Sequence, residues 1–541
     1  MAGILDPNDT ESYLKHSDEE KSPVANESAS MPSTATSDIA AGDVDIIAIP
    51  DTYVTNRWQR FANKVEKLTG AEARGIEQVD ESLRQGKTSL RQYWDMCQIW
   101  FSVNLTANIL TIGVLGPIAF GLGPTDAFLC CLFGTIAGSA ITCYIATLGP
   151  ISGLRTMAAA RFTMGWWPGK LCIILNEVII LGYGLVDTII CGQVLSAVSG
   201  GTMSVIVGIV VMGILIWVVS VAGIKYVHYF EKYAFFPQVC VLFVLIGVAA
   251  PHFDMSAANQ STGTALIGGR ISYFFLCASG PMGWGPNVQD YFPYHPISTN
   301  RWGTWAMTLL GFVASKIFVE FIGIGLGVSL AANPTWAAAF SGNDVGALLN
   351  EVYSPLGAFG RFCTVIIGLG IAANIIPGSY SAAFGAQLLS TRLGRVPRIF
   401  WTTLVTLVYT VCAIGGREQL LPIFLNFLPL IGYWVLMWIV MTMQEEFMFR
   451  RTTRLTFTAD GKGIGYEWSR WNEREYLPLG IAALATFLTG WVWAILCMSQ
   501  TYFTGPIAAL IPADLGLPVS ATWAALVYPI LRRWELSKFG R

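Results

Sequence analysis

The chain has 541 residues, of which 53% are apolar, 13% aromatic and 13% charged, with a mean hydropathy of +0.53. A soluble domain is about a quarter charged, so this composition argues against a water-soluble enzyme, a nucleic-acid binder or a disordered scaffold. The net charge of −2 gives no bulk electrostatic signature, and the information lies in where the charges fall.

Residues 1–99 form a polar tail. Its first fifty residues are rich in Ser, Thr, Asp and Glu and cannot bury enough apolar surface to order themselves. No charged segment followed by a short apolar core opens the chain, so no cleavable signal peptide is expected. The first long apolar stretch begins near Trp100 and would serve as an uncleaved membrane signal.

A helix needs about 20 apolar residues to cross a bilayer. Twelve stretches qualify: 100–122, 126–148, 170–198, 204–224, 233–251, 271–290, 303–331, 359–389, 398–416, 419–444, 476–499 and 504–531. They are too long, and too little alternating, for barrel strands. Of the 33 Lys and Arg residues, 29 fall in the tails and even-numbered loops, among them Arg155, Arg161, Arg301, Arg450 and Arg451. Arg270, Arg361 and Arg417 fall on the opposite side, and Lys316 lies within a span. The positive-inside rule then places both termini in the cytosol, which leaves the Asn259-Gln-Ser sequon in an external loop. The eleven cysteines form no C-x-x-C pair and read as small apolar packing residues, not as disulfides or metal ligands.

Two spans carry helix-breaking residues. Span 1 holds Gly113-Val-Leu-Gly116-Pro117, and span 6 holds Gly280-Pro281-Met-Gly283-Trp284-Gly285-Pro286. Irregular backbone at membrane depth is tolerated only where protein or a cavity satisfies it. Breaks five spans apart point to an inverted-repeat transporter with a midplane site.

Ser102-Val-Asn-Leu-Thr-Ala-Asn108, Gly113–Pro117, Leu181-Gly-Tyr-Gly-Leu-Val-Asp187, Gly192–Gly200, Trp284-Gly-Pro286 and Ala373-Asn-Ile-Ile-Pro377 together resemble the fungal purine–cytosine permeases of nucleobase cation symporter family 1. The resemblance covers about residues 55–535. It implies an all-α polytopic protein with a leucine-transporter-like 5+5 inverted repeat plus two peripheral helices. The first repeat would be 100–251 and the second 271–444, with a cytosolic loop at 445–475, peripheral helices at 476–531 and a tail at 532–541. It also implies proton-coupled uptake of cytosine and purines across the plasma membrane, with the substrate between spans 1, 3, 6 and 8.

A flat nucleobase in a dry site needs an aromatic face and amide or carboxylate partners for its edge. Trp284, inside the span-6 break, is the candidate face; its plainer reading is core packing. Tyr183 and Asp187 lie one helical turn apart on span 3, with Asn176 on the same stripe. Asp187 is an intramembrane carboxylate, and so a candidate for substrate binding or proton coupling. On span 8, Asn374 offers a donor and an acceptor, and Pro377 frees a backbone carbonyl. The family pattern there is typically Asn-Asn-x-Pro-Asn, but this chain has Ile375 and Gly378, which removes two edge-reading groups. Asn108 is the polar residue of span 1 nearest the expected break.

Lys316 and Glu320 are i,i+4 partners on span 7, read as an internal salt bridge or as a gate or proton relay. Glu177 is a lone carboxylate near the inner end of span 3. The expected protein is a transporter, not an enzyme. It would use a proton and no cofactor, and its partners would be a nucleobase-like substrate and membrane lipid, with no nucleic acid. Alternative readings are another substrate (allantoin, uracil, a hydantoin, a vitamin or a nucleoside) or a nutrient sensor that binds without transport.

Overall fold

Inside a bilayer the backbone finds no water, so each apolar stretch must satisfy its own N–H and C=O groups by coiling into a helix. The computed structural model describes residues 76–222, 224–451 and 465–541. Among these all regular structure is helical, apart from one isolated bridge between Ser499 and Thr504. The expected disordered segment 1–50 lies outside the described residues.

The long helices are α1 (Leu90–Val103), α2 (Ala107–Phe120), α3 (Pro124–Ala146), α4 (Pro168–Val198), α5 (Val205–Ala222), α6 (Ile224–Ala249) and α7 (Gly263–Met282). They continue as α8 (Arg301–Ser329), α9 (Ala358–Leu388), α10 (Arg398–Gly416), α11 (Leu420–Gln444), α12 (Ile481–Cys497) and α13 (Gly516–Phe539). Every expected span overlaps one of these helices, but span 1 is a helix pair that begins at Leu90, inside the expected 1–99 tail, and the helix of span 12 runs from Gly516 to Phe539 instead of 504–531. Among the described residues, seven helical stretches are long and apolar enough to cross a membrane, and eight when α1 and α2 count as one broken span. The others correspond to α5 and α12, which are shorter, α7, which carries Arg270, and α13, which carries Arg532 and Arg533.

Two sets of contacts organise the helices. In one, α8 packs on α1, α2 and α3, and α7 packs on α3; in the other, α4 packs on α5, α9 and α10. Glycines let the helices of the first set approach closely. A Cβ on Gly138 of α3 would overlap the Ala278 backbone of α7, and one on Gly323 of α8 would overlap the Leu110 carbonyl of α2. Such small-residue surfaces are the usual means of bringing membrane helices together.

The segment before α1 is strapped across the loops that follow α3 and α7. Arg84 is 1% exposed, and its guanidinium donates to the carbonyls of Val79 (3.1 Å) and Pro150 (2.7 Å). The Val79 N–H donates to Gly153 (2.9 Å) and the Ile297 N–H to Arg84 (3.0 Å). Gly153 has φ +62°, and a Cβ there would meet the Arg84 guanidinium at 2.6 Å. Replacing Arg84 with Met leaves buried carbonyls unpaired, at about 1–3 kcal/mol. We expect faster hydrogen exchange at the Val79 N–H in that variant; unchanged protection would show that the arginine does not hold the strap.

Candidate functional site

The first break lies at Asn104–Thr106, where α1 and α2 meet at 60°. Gly113, Gly116 and Pro117 do not break span 1, contrary to expectation; all three sit inside α2. Pro117 removes the N–H that would bond the Gly113 carbonyl. The Tyr273 hydroxyl of α7 takes over, donating to the carbonyls of Ile112 (3.2 Å) and Gly113 (3.4 Å). The glycines serve close packing instead: a Cβ on Gly113 would overlap the Glu320 backbone, and one on Gly116 the Tyr273 ring. The break is written in short polar residues whose side chains bond local backbone. The Asn104 amide donates to the Trp100 carbonyl (2.7 Å), Thr106 is extended (φ −137°, ψ 154°), and its hydroxyl bonds Asn108.

The second break falls where expected but starts later. Gly280 and Pro281 belong to the last turn of α7; Gly283, Gly285 and Pro286 lie in the non-helical stretch before a short 3-10 turn, Val288–Tyr291. Gly283 is required by a close approach, since a Cβ there would meet the Tyr183 ring at 2.7 Å. That lets the Tyr183 hydroxyl donate to the Gly280 carbonyl (3.3 Å).

Between α4, this break and α9 lies a small cavity. Its walls are Ile179, Ile180, Tyr183 and Gly184 of α4; Gly283, Trp284 and Asn287 of the break; and Asn374, Ile375 and Gly378 of α9. Trp284 is half-buried and stands edge-on to the fully buried Trp100 (5.4 Å, 70°), which itself stacks on Phe312 (4.6 Å). Tyr183 stands edge-on to Phe427 (5.5 Å). The Asn374 amide ties the first break to α9: it donates to the Val103 carbonyl (2.9 Å) and accepts from Asn108 (3.4 Å).

Of the six expected substrate residues, Trp284, Tyr183 and Asn374 line the cavity. Asn108, Asp187 and Pro377 do not. Asn108 stands behind Asn374 through their amide bond. Pro377 is buried within an uninterrupted α9. Asp187, one turn beyond Tyr183, is fully buried, and neither of its oxygens has a hydrogen-bond partner. Ile375 and Gly378, the departures from the asparagine-rich pattern, form part of the wall itself.

The expected salt bridge between Lys316 and Glu320 does not form, although both side chains are buried. Among the described residues no ion pair joins them. One oxygen of Glu320 is taken by α3, through Thr135 (2.7 Å) and the Cys131 thiol (3.1 Å), and the other has no partner. The Lys316 ammonium faces α7, where a Cβ on Gly280 would lie 3.8 Å from it. Glu177 does not reach outward either: one of its oxygens is buried without a partner against Gly385 of α9, whose missing side chain makes the room. Sequence reasoning missed Asn287 and Cys131. The position of Asn287 directly after Trp284-Gly-Pro286 was the available signal.

The model of a family described as permease for cytosine/purines, uracil, thiamine, allantoin matches residues 79–505. The chain belongs to this family. It is therefore a polytopic membrane transporter and not an enzyme. The permease is 32% identical over 499 residues to the purine-cytosine permease fcyB of Emericella nidulans, covering 91% of this chain and 95% of the relative. It is 29% identical over 531 residues to the vitamin B6 transporter TPN1 of Saccharomyces cerevisiae, covering 90% and 91%. Its fold is that of Mhp1, a nucleobase-cation-symport-1 family transporter solved closed with bromovinylhydantoin bound (TM-score 0.62, 15% identity, covering 86% of this chain and 96% of that one).

Proposed function

We propose that the permease imports a flat, nucleobase-like heterocycle of the cytosine and purine class across the plasma membrane, by proton-coupled alternating access, with both termini cytosolic. The carrying observation is the cavity itself: one indole face, two amides and an apolar floor at the second break. In this reading the group α1, α2, α3, α7 and α8 rocks against α4, α5, α9 and α10. Asp187, Lys316 and Glu320 are the coupling groups, and Glu177 is a further station nearer the cytosol.

A second reading, a pyridine-type vitamin, is favoured by Ile375 and Gly378 on the cavity wall, which offer no edge partners, and by the similarity to TPN1. Uptake of labelled cytosine, adenine, uracil, allantoin and pyridoxine, measured in a fungal strain lacking its own permeases for them, tests both. Saturable uptake of cytosine or a purine supports the first reading, and uptake of pyridoxine alone replaces it with the second. Binding without uptake would make the protein a sensor.

Asparagines restored at 375 and 378 are expected to shift preference toward cytosine. Gly378 has the room, its nearest neighbour to a new Cβ being Ile180 at 3.8 Å. Two regained edge bonds are worth roughly 1–3 kcal/mol. An unchanged cytosine affinity would show that span 8 does not read the edge.

A further inference from the structure

We infer that Asn287 is an edge-reading substrate residue, held in position by Asn176; the inference rests on the import reading above. Asn287 lines the cavity, and Asn176 does not. Their side chains exchange both amide hydrogen bonds, Asn176 donating at 3.0 Å and Asn287 at 2.8 Å. Both are almost fully buried, at 1% and 2% exposure. A primary amide carries two N–H donors and two acceptor lone pairs. The exchange uses one of each on either residue and leaves Asn287 with one N–H and one lone pair.

The backbone fixes where those groups lie relative to the stacking face. The Asn287 N–H donates to the Trp284 carbonyl (2.9 Å), closing a tight turn within the break. A heterocycle laid on Trp284 therefore has its edge within reach of Asn287. Of the other polar side chains on the wall, Tyr183 donates its hydroxyl to Gly280, while Asn374, tied to Val103 and Asn108, keeps one N–H and one lone pair as Asn287 does. With Ile375 and Gly378 unable to pair, Asn287 supplies from the break the edge partners that α9 lacks at those two positions. The ligand chemistry that fits is a planar ring bearing a ring nitrogen, carbonyl, hydroxyl or amine on the edge facing it.

The pair also joins α4 to the break after α7, so it crosses between the two helix groups. Asn176 is a positioning residue, because it touches Asn287 and not the cavity.

The test is uptake kinetics of full-length variants, with labelled cytosine or pyridoxine, whichever the wild type carries. Asn287→Ala is expected to raise KM between about fivefold and a hundredfold, with Vmax and surface level little changed. Asn176→Ala is expected to raise KM less, and the double variant to match Asn287→Ala, since Asn176 acts only through its partner. An unchanged KM with reduced Vmax or surface level would make the pair structural and overturn the inference, leaving the import reading intact. If Asn287→Ala does not reach the membrane, Asn287→Ser is read by the same criterion. A wild type that carries neither compound overturns the import reading and this inference together.

Discussion

Trp284→Ala is expected to abolish uptake while the protein still reaches the membrane. Stacking of a base on an aromatic ring is worth about 1–3 kcal/mol, and the edge contact with Trp100 adds about 1 kcal/mol that orients the ring. Losing both weakens binding by roughly a hundredfold or more. The fold should tolerate the change, because Trp284 is half-buried at a cavity whereas Trp100 is fully buried among Tyr291 and Phe312. Trp284→Phe retains a smaller face and is expected to keep weakened uptake. Normal uptake by the alanine variant at equal surface level would move the substrate site elsewhere.

Asp187→Asn is expected to erase the dependence of uptake on external acidity. The wild-type carboxylate is fully buried and its oxygens lack hydrogen-bond partners, so a lone negative charge there is costly. Two arrangements relieve it: a bound proton, or closer approach of the Lys316 ammonium on α8. If the two arrangements belong to different positions of α4 against α8, proton binding has a bistable element to bias. External acid favours the protonated form, so wild-type uptake is expected to rise as the medium is acidified. The amide variant carries no titrating group at that site, and its uptake is expected to be the same in acidic and neutral medium, without accumulation against a gradient. Retained acid stimulation would remove Asp187 from the coupling mechanism.

The helical architecture was legible because apolar run length and charge position are properties of the sequence itself. Each expected span overlaps a helix, though spans 1 and 12 have other bounds, and Trp284, Tyr183 and Asn374 line one cavity. The site of the first break was not legible from glycine and proline alone. Pro117 is absorbed by the Tyr273 hydroxyl from another helix, while the bend arises at Asn104–Thr106 from side chains that bond their own backbone. The Lys316–Glu320 spacing likewise predicts a bridge that the tertiary partners Thr135 and Cys131 forestall. The reciprocal bonding of Asn176 and Asn287, 111 residues apart, has no local signature at all.

The central claim is that the cavity at the second break carries a heterocycle inward at the expense of a proton gradient. Its most direct test is accumulation of the labelled heterocycle by purified protein in liposomes with an acidic exterior. Accumulation that collapses with a protonophore and is absent for Trp284→Ala is the predicted result; accumulation unaffected by either would contradict it.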